Sequence, residues 1–219
     1  TLALAVNTFN GMVNVSGKLT DGASVTGGFT KTGNGTLALT GSTNDYDGTT
    51  NINTGVVRIS ADNAFGTTIG NTIISSGGRV ELAGGRNIAE PLTLNNNSQG
   101  FSIVTGAVVN TAGTNTWSGP ITLIANQNHG LGVDAGTLFI TGAIIQTGNA
   151  GVLKQGNGTL EFGGPYSNTF TGNTTVRQGT LNLNKIPGQT AFAGSTMVSA
   201  PEPAAQPVGI LGPFKLVGS

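Results

Sequence analysis

The chain has 219 residues, nine basic and nine acidic side chains for a formal net charge of zero, 8% charged residues, 37 glycines and no cysteine. Ordinary soluble domains carry roughly 25% charged residues; so sparse and balanced a set cannot neutralise a run of phosphates or anionic head groups, so neither nucleic acid nor a membrane surface is an expected partner. Disulfides and thiolate metal sites are excluded, and the β-branched and aliphatic residues recurring at alternate positions exclude disorder.

From the N-terminus, Leu2-Ala3-Leu4-Ala5-Val6 is too short for a membrane span and lacks the basic start of a signal peptide. With Phe9 to Val15 it reads as a truncated copy, near 1–19, of a unit given in full twice. The first full copy, 33–59, runs Gly33-Asn34-Gly35-Thr36-Leu37-Ala38-Leu39, then Tyr46-Asp47-Gly48-Thr49-Thr50-Asn51-Ile52, then Gly55-Val56-Val57-Arg58-Ile59. The second, 156–183, runs Gly156-Asn157-Gly158-Thr159-Leu160-Glu161-Phe162, then Phe170 to Val176, then Gly179-Thr180-Leu181-Asn182-Leu183. Between them, Val80 and Leu82, Leu92 and Leu94, Ile121 and Leu123, and Leu138 and Ile140 repeat the period-two pattern after Gly or Pro turns. Ser199 to Pro207 is too proline-rich for an inner strand, so 199–219 is expected to be an extended tail with a terminal strand at 212–218.

Equivalent residues at equivalent spacings are what in-register parallel stacking requires, whereas hairpin folds need antiparallel partners and tight loops. The expected fold is all-β: a single right-handed parallel β-helix, or β-solenoid, over 1–198. At about 20 residues per coil it would make roughly ten coils, with side-chain ladders at corner residues such as Asn34, Asn53, Asn157 and Thr174. Inward positions are expected to include Leu37, Leu39, Ile59, Leu82, Leu138, Leu160 and Leu183.

No residue is assigned to catalysis, a cofactor or a metal. Asp45 and Asp47 flank Tyr46 on one side of a strand, but cleavage needs carboxyls across a cleft and calcium needs six or more oxygens; the second copy has Thr169 and Thr171 there, so an exposed turn is expected. The lone His129 is read as a solvated loop residue. Gly33 to Ala38 and Gly130 to Ala135 fit a nucleotide-binding glycine pattern but lack a following helix, so both are read as β-turns. Trp117, Phe101, Phe139 and Tyr166 are the aromatics from which a carbohydrate-stacking face would be built, though core positions are the better reading. Arg58, Arg79, Arg86 and Arg177 come from separate regions, which argues against a charged groove. An ice-binding array needs regular Thr-x-Thr, and among Thr8, Thr20, Thr30 and Thr32 only the last two have that spacing.

The form G-x-G-T-L-x-L, then N-x-[YF]-x-G-x-T-x-[IV]-x-x-G-x-[LV]-x-[IL], resembles the autotransporter-associated β-strand repeat, or passenger-associated transport repeat, of bacterial type V secretion. The second copy places Asn168 at the Asn position, with one extra residue before Phe170. That resemblance implies a non-enzymatic extracellular protein: a surface stalk, an adhesin segment or a self-assembling filament subunit. Implied partners are other copies, end to end, or a host or matrix surface. No translocator barrel of membrane strands follows, so a fragment or a protein assembled outside the cell by another route is expected. The competing readings are a polysaccharide-binding or polysaccharide-degrading β-helix and an ice-binding solenoid.

Overall fold

Strands with apolar residues at every second position each bury one face, and stacking them in parallel buries those faces along one continuous interior. The computed structural model describes residues 2–22, 26–75, 77–95, 106–124, 127–194 and 196–198, with side chains described from residue 5 to 194 within that set; Phe101 and the tail at 199–219 lie outside the described residues. Every described element is a strand. The first three coils supply β1 (Leu2–Asn7) and β2 (Met12–Val15), β3 (Gly27–Thr32) and β4 (Thr36–Leu39), and β5 (Thr50–Ile52) and β6 (Gly55–Ile59). The next four have three strands each: β7 (Thr72–Ile74), β8 (Gly78–Ala83), β9 (Asn87–Ile88); β10 (Leu92–Leu94), β11 (Val108–Ala112), β12 (Thr114–Trp117); β13 (Ile121–Ile124), β14 (Asn128–Val133), β15 (Thr137–Ile140); β16 (Ile144–Thr147), β17 (Gly151–Gln155), β18 (Thr159–Gly164). The stack ends with β19 (Thr174–Val176), β20 (Thr180–Lys185) and β21 (Thr196–Val198).

These strands form three parallel sheets, of seven strands (β1-β3-β5-β7-β10-β13-β16), nine (β2-β4-β6-β8-β11-β14-β17-β19-β21) and five (β20-β18-β15-β12-β9). The fold is the expected β-solenoid, with fewer and longer coils. Partners one coil apart are 20 residues away at Thr72 and Leu92 but 29 away at Leu92 and Ile121. In-register stacking fixes the spacing of strands and leaves the corners free to hold loops of different length. At about 4.8 Å per strand, the nine-stranded sheet spans roughly 40 Å.

Leu37, Leu39, Ile59, Leu82, Leu138 and Leu160 are buried in one core cluster, and Leu183 packs half-buried against it. On the nine-stranded sheet the alternation is masked: Val109 and Leu153, outside that cluster, are buried as well.

Within each full copy the two glycine-led strands stack directly on one another. Leu37 and Leu39 register with Val57 and Ile59, and Leu160 and Phe162 with Leu181 and Leu183. The first copy does this in the nine-stranded sheet and the second in the five-stranded sheet, one face further round the coil. The truncated copy near 1–19 does not follow the pattern, because β1 and β2 lie in different sheets and pair with β3 and β4.

Replacing Leu160 by Asp puts a charge in the interior with no partner, against neighbours Leu138 and Leu181 in register. The expected outcome is a loss of several kcal/mol in urea unfolding followed by circular dichroism, while the neighbouring outward change Glu161→Gln moves the midpoint little.

Candidate functional site

A solenoid corner turns carbonyls out of the strand ladder, and buried carbonyls need donors. In the first copy Lys31 supplies them: fully buried on β3, its Nζ donates to the carbonyls of Thr32 (2.9 Å), Gly33 (2.6 Å) and, one coil on, Thr54 (2.9 Å). Lys154, buried on β17, repeats the arrangement with Gln155 (2.8 Å), Gly156 (2.6 Å) and Gln178 (3.0 Å). Each lysine stands two residues before the first glycine of its copy. Burial lowers both ammonium groups, Lys154 to about 8, where the carboxylate of Asp134 opposes the shift.

A second pair of equivalent residues closes the opposite corner. The Asn44 amide accepts from the Leu19 N–H of the preceding coil (2.8 Å) and donates to the Ala64 carbonyl of the next (2.9 Å). Asn168 accepts from the Ile144 N–H (2.9 Å) and donates to the Ala191 carbonyl (2.6 Å). These amides join the coils, whereas Thr174, one of the expected ladder positions, has a buried hydroxyl with no partner among the described residues. The aromatic two residues later is buried in both copies, Tyr46 edge-on to Phe29 and Phe170 edge-on to Phe162.

One ionisable group sits in the core without a cation. Glu90 is 4% exposed, and its carboxyl accepts from the Thr72 hydroxyl at 3.2 Å. Burial raises its pKa to about 8, the Thr72 bond acting against the shift. Tyr46, raised by burial and in a smaller part by Glu90, bonds Thr50 one coil below Thr72. The Trp117 indole N–H donates to the Glu90 backbone carbonyl at 2.9 Å.

Most sequence candidates are drawn into this internal framework. His129 is not a solvated loop residue: it is buried on β14, with Nε2 3.1 Å from the Ile124 carbonyl, because it occupies an inward position in register with Val152. Gly130 to Val133 also belongs to β14 and is not a turn. Trp117 is fully buried at the end of β12, Phe139 is half-buried and Tyr166 is exposed, so among the described residues of that set Tyr166 alone is open to solvent. Arg58 and Arg79, distant in sequence, converge on Glu81, at 2.7 and 2.6 Å, because Arg58 and Glu81 are register partners. Asp45 is exposed and paired with Lys18, whose hydrogen bond holds its carboxyl below the usual range. Threonines do form one in-register column, Thr114, Thr137, Thr159 and Thr180, but the next column reads Thr116, Phe139, Glu161, Asn182, which is not an ice-like array.

Among the described residues, grooves open on the surface of the rod. One of about 440 Å³ crosses three coils beside the seven-stranded sheet, with Asp47, Thr49, Asn51, Ile69 and Asn71 among its walls. Another, of about 210 Å³, is lined by Gln127, Asn128, Asn149, Thr171, Gly172 and Asn173. Among the described residues no three His, Cys, Asp or Glu side chains gather as metal ligands, and no helix is long and apolar enough to cross a membrane.

Comparison with known proteins finds the passenger-associated-transport-repeat family at residues 29–59 and 152–183, two spans that take in the buried lysines. Over 151 residues, 68% of this chain, the sequence is 32% identical to the adhesin BmaC autotransporter of Brucella suis biovar 1 (strain 1330). The match spans 4% of the length of that relative. No solved structure matches the chain.

The buried groups set an unusual pH dependence. Between the ordinary value of 4.5 and about 8, unfolded Glu90 loses its proton while folded Glu90 keeps it, so stability falls as pH rises. Between about 8 and 10.5 unfolded Lys154 and Lys185 hold protons that the folded state releases, so stability rises again. Thermal unfolding across pH 5 to 10 is expected to show a minimum near pH 8, and Glu90→Gln to remove the acidic limb. Lys154→Met, which leaves three carbonyls unpaired, is expected to cost about 3–5 kcal/mol at pH 7, measured by urea unfolding.

Proposed function

We infer that this chain, a β-solenoid carrying passenger-associated transport repeats, serves at the bacterial cell surface or in secreted form as a rigid, non-enzymatic stalk or adhesin segment of a larger passenger. One observation carries the reading: the strands of each full copy stack on themselves in register, the first in the nine-stranded and the second in the five-stranded parallel sheet, so the chain extends as a rod. The name of the similar Brucella protein, an adhesin, supports a surface role. So does the use of ionisable groups, which are spent on corners and internal pairs such as Arg58, Arg79 and Glu81.

End-to-end association belongs to the same reading. At the rung of β1 and β2, Phe9 and Met12 are 76% and 67% exposed, and both strands lie at the edge of their sheets. Unpaired strand edges with exposed apolar side chains accept a further coil, whether of the same polypeptide or of another copy, and between copies the contact is heterologous, so it extends a rod and does not close a dimer.

Placed between a signal peptide and a translocator barrel, the chain is expected to reach the cell surface as a protease-resistant rod, seen by surface antibody labelling. Retention in the periplasm in folded form counts against the passenger role. In multi-angle light scattering the mass is expected to rise with concentration, and to stay at one chain in Met12→Lys; a wild-type monomer throughout refutes the end-to-end contact.

A further inference from the structure

We propose that the groove beside the seven-stranded sheet is a binding site for a short, neutral, linear oligosaccharide, with Asp47, Thr49, Asn51 and Asn71 as its hydrogen-bonding residues. The proposal rests on the surface-segment reading above and gives the segment a ligand class.

The groove is a product of the register. Phe29, Thr50 and Thr72 are stacked partners, so the residues just before them also form columns. Thr26, Asp47 and Ile69 make one wall; Thr49 and Asn71 make the other. Gly48 and Gly70 lie between them, and a Cβ at either would collide with the carbonyl of Gly27 or Gly48 in the coil below. No side chain can fill that floor. The wall at Asp47 is held from both sides: its N–H donates to the Asp21 carboxylate at 2.9 Å, and its own carboxylate accepts from the Thr67 hydroxyl. The adjacent coil closes one end, because Pro91 follows Asn71 in the column.

The chemistry of the walls selects the ligand. A carboxylate, two amides and two hydroxyls offer both donors and acceptors, which matches the edge of a sugar ring. Ile69, 76% exposed on the same rim, offers an apolar surface for the C–H face. Successive wall residues along the rod are separated by about 4.8 Å, close to the length of one pyranose unit, so three coils fit a di- or trisaccharide. The volume, about 440 Å³, is in the range of small-molecule sites. Among the described lining residues Asp47 alone is charged, so sulfated and sialylated glycans are disfavoured.

The test uses the 219-residue chain on a glycan array, followed by isothermal titration with neutral cello- and chito-oligosaccharides, heparin oligosaccharides and sialyllactose. The expected result is saturable binding of a neutral oligosaccharide at micromolar to millimolar concentration and none of the anionic ones. Asp47→Ala is expected to weaken it at least tenfold, and Thr171→Ala in the second groove to leave it unchanged. Thr49→Val, at an exposed side chain, guards against loss through misfolding; it too is expected to weaken binding, with an unchanged melting temperature. No binding of any neutral oligosaccharide, preference for an anionic glycan, or affinity unaffected by both Asp47→Ala and Thr49→Val overturns the proposal. A chain that reaches the cell surface but binds no sugar refutes the groove alone; one that binds sugar but is not displayed refutes the passenger role alone.

Discussion

The constraint on which the solenoid depends is the pairing of backbone carbonyls at its corners. Strands pair their own groups with the coils above and below, but at a bend the chain turns out of the ladder, and carbonyls such as those of Gly33 and Thr54, or of Gly156 and Gln178, converge on one donor. An unpaired buried carbonyl costs about 1–3 kcal/mol, so two or three at a corner recurring along a rod would offset much of what burying the leucines contributes. Lys31 and Lys154 resolve this with one ammonium group for three carbonyls in two coils. The cost is a desolvated charge, visible in their lowered pKa values, and charge-assisted bonds to the carbonyls offset it.

Those lysines also explain why the two copies can occupy different faces. In one copy the lysine-bearing strand lies in the seven-stranded sheet and the leucine strand in the nine-stranded one; in the other the same sequence runs from the nine-stranded to the five-stranded sheet. What the repeat encodes is therefore a corner with the strand on either side of it, and a neighbouring Asn that ties the far side of the coil. Loop lengths between copies decide which of the three corners receives it.

This division marks what the amino-acid sequence makes legible. Leu37, Leu39, Leu160 and Phe162 announce their strands because period-two alternation is a local property, and repetition across copies reveals that the strands stack. The corner residues were equally repeated, yet a lysine two residues before Gly33 and again before Gly156 reads as a solvated charge under the general rule that lysines stay exposed. Comparing residues upstream of the two motifs would have found it. The convergence of Arg58 and Arg79 on Glu81, the burial of His129 and the joining of Thr26, Asp47 and Ile69 into one wall were not legible by any local rule. Each depends on the register between coils, and the coil length varies enough that no fixed period places those residues side by side.

Variation along a column is then where a solenoid differs from its neighbours. Inward or floor positions, such as the glycines Gly48 and Gly70 or the inward Leu138, Leu160 and Leu181, are held by packing against the coil below, where a Cβ or a lost methyl group is felt at once. The columns Thr26 to Asp47 to Ile69 and Thr116 to Phe139 to Glu161 to Asn182 change from coil to coil on the outward side, where that restraint is weaker. The rod thus presents a fixed lattice of positions whose chemistry can be rewritten one coil at a time.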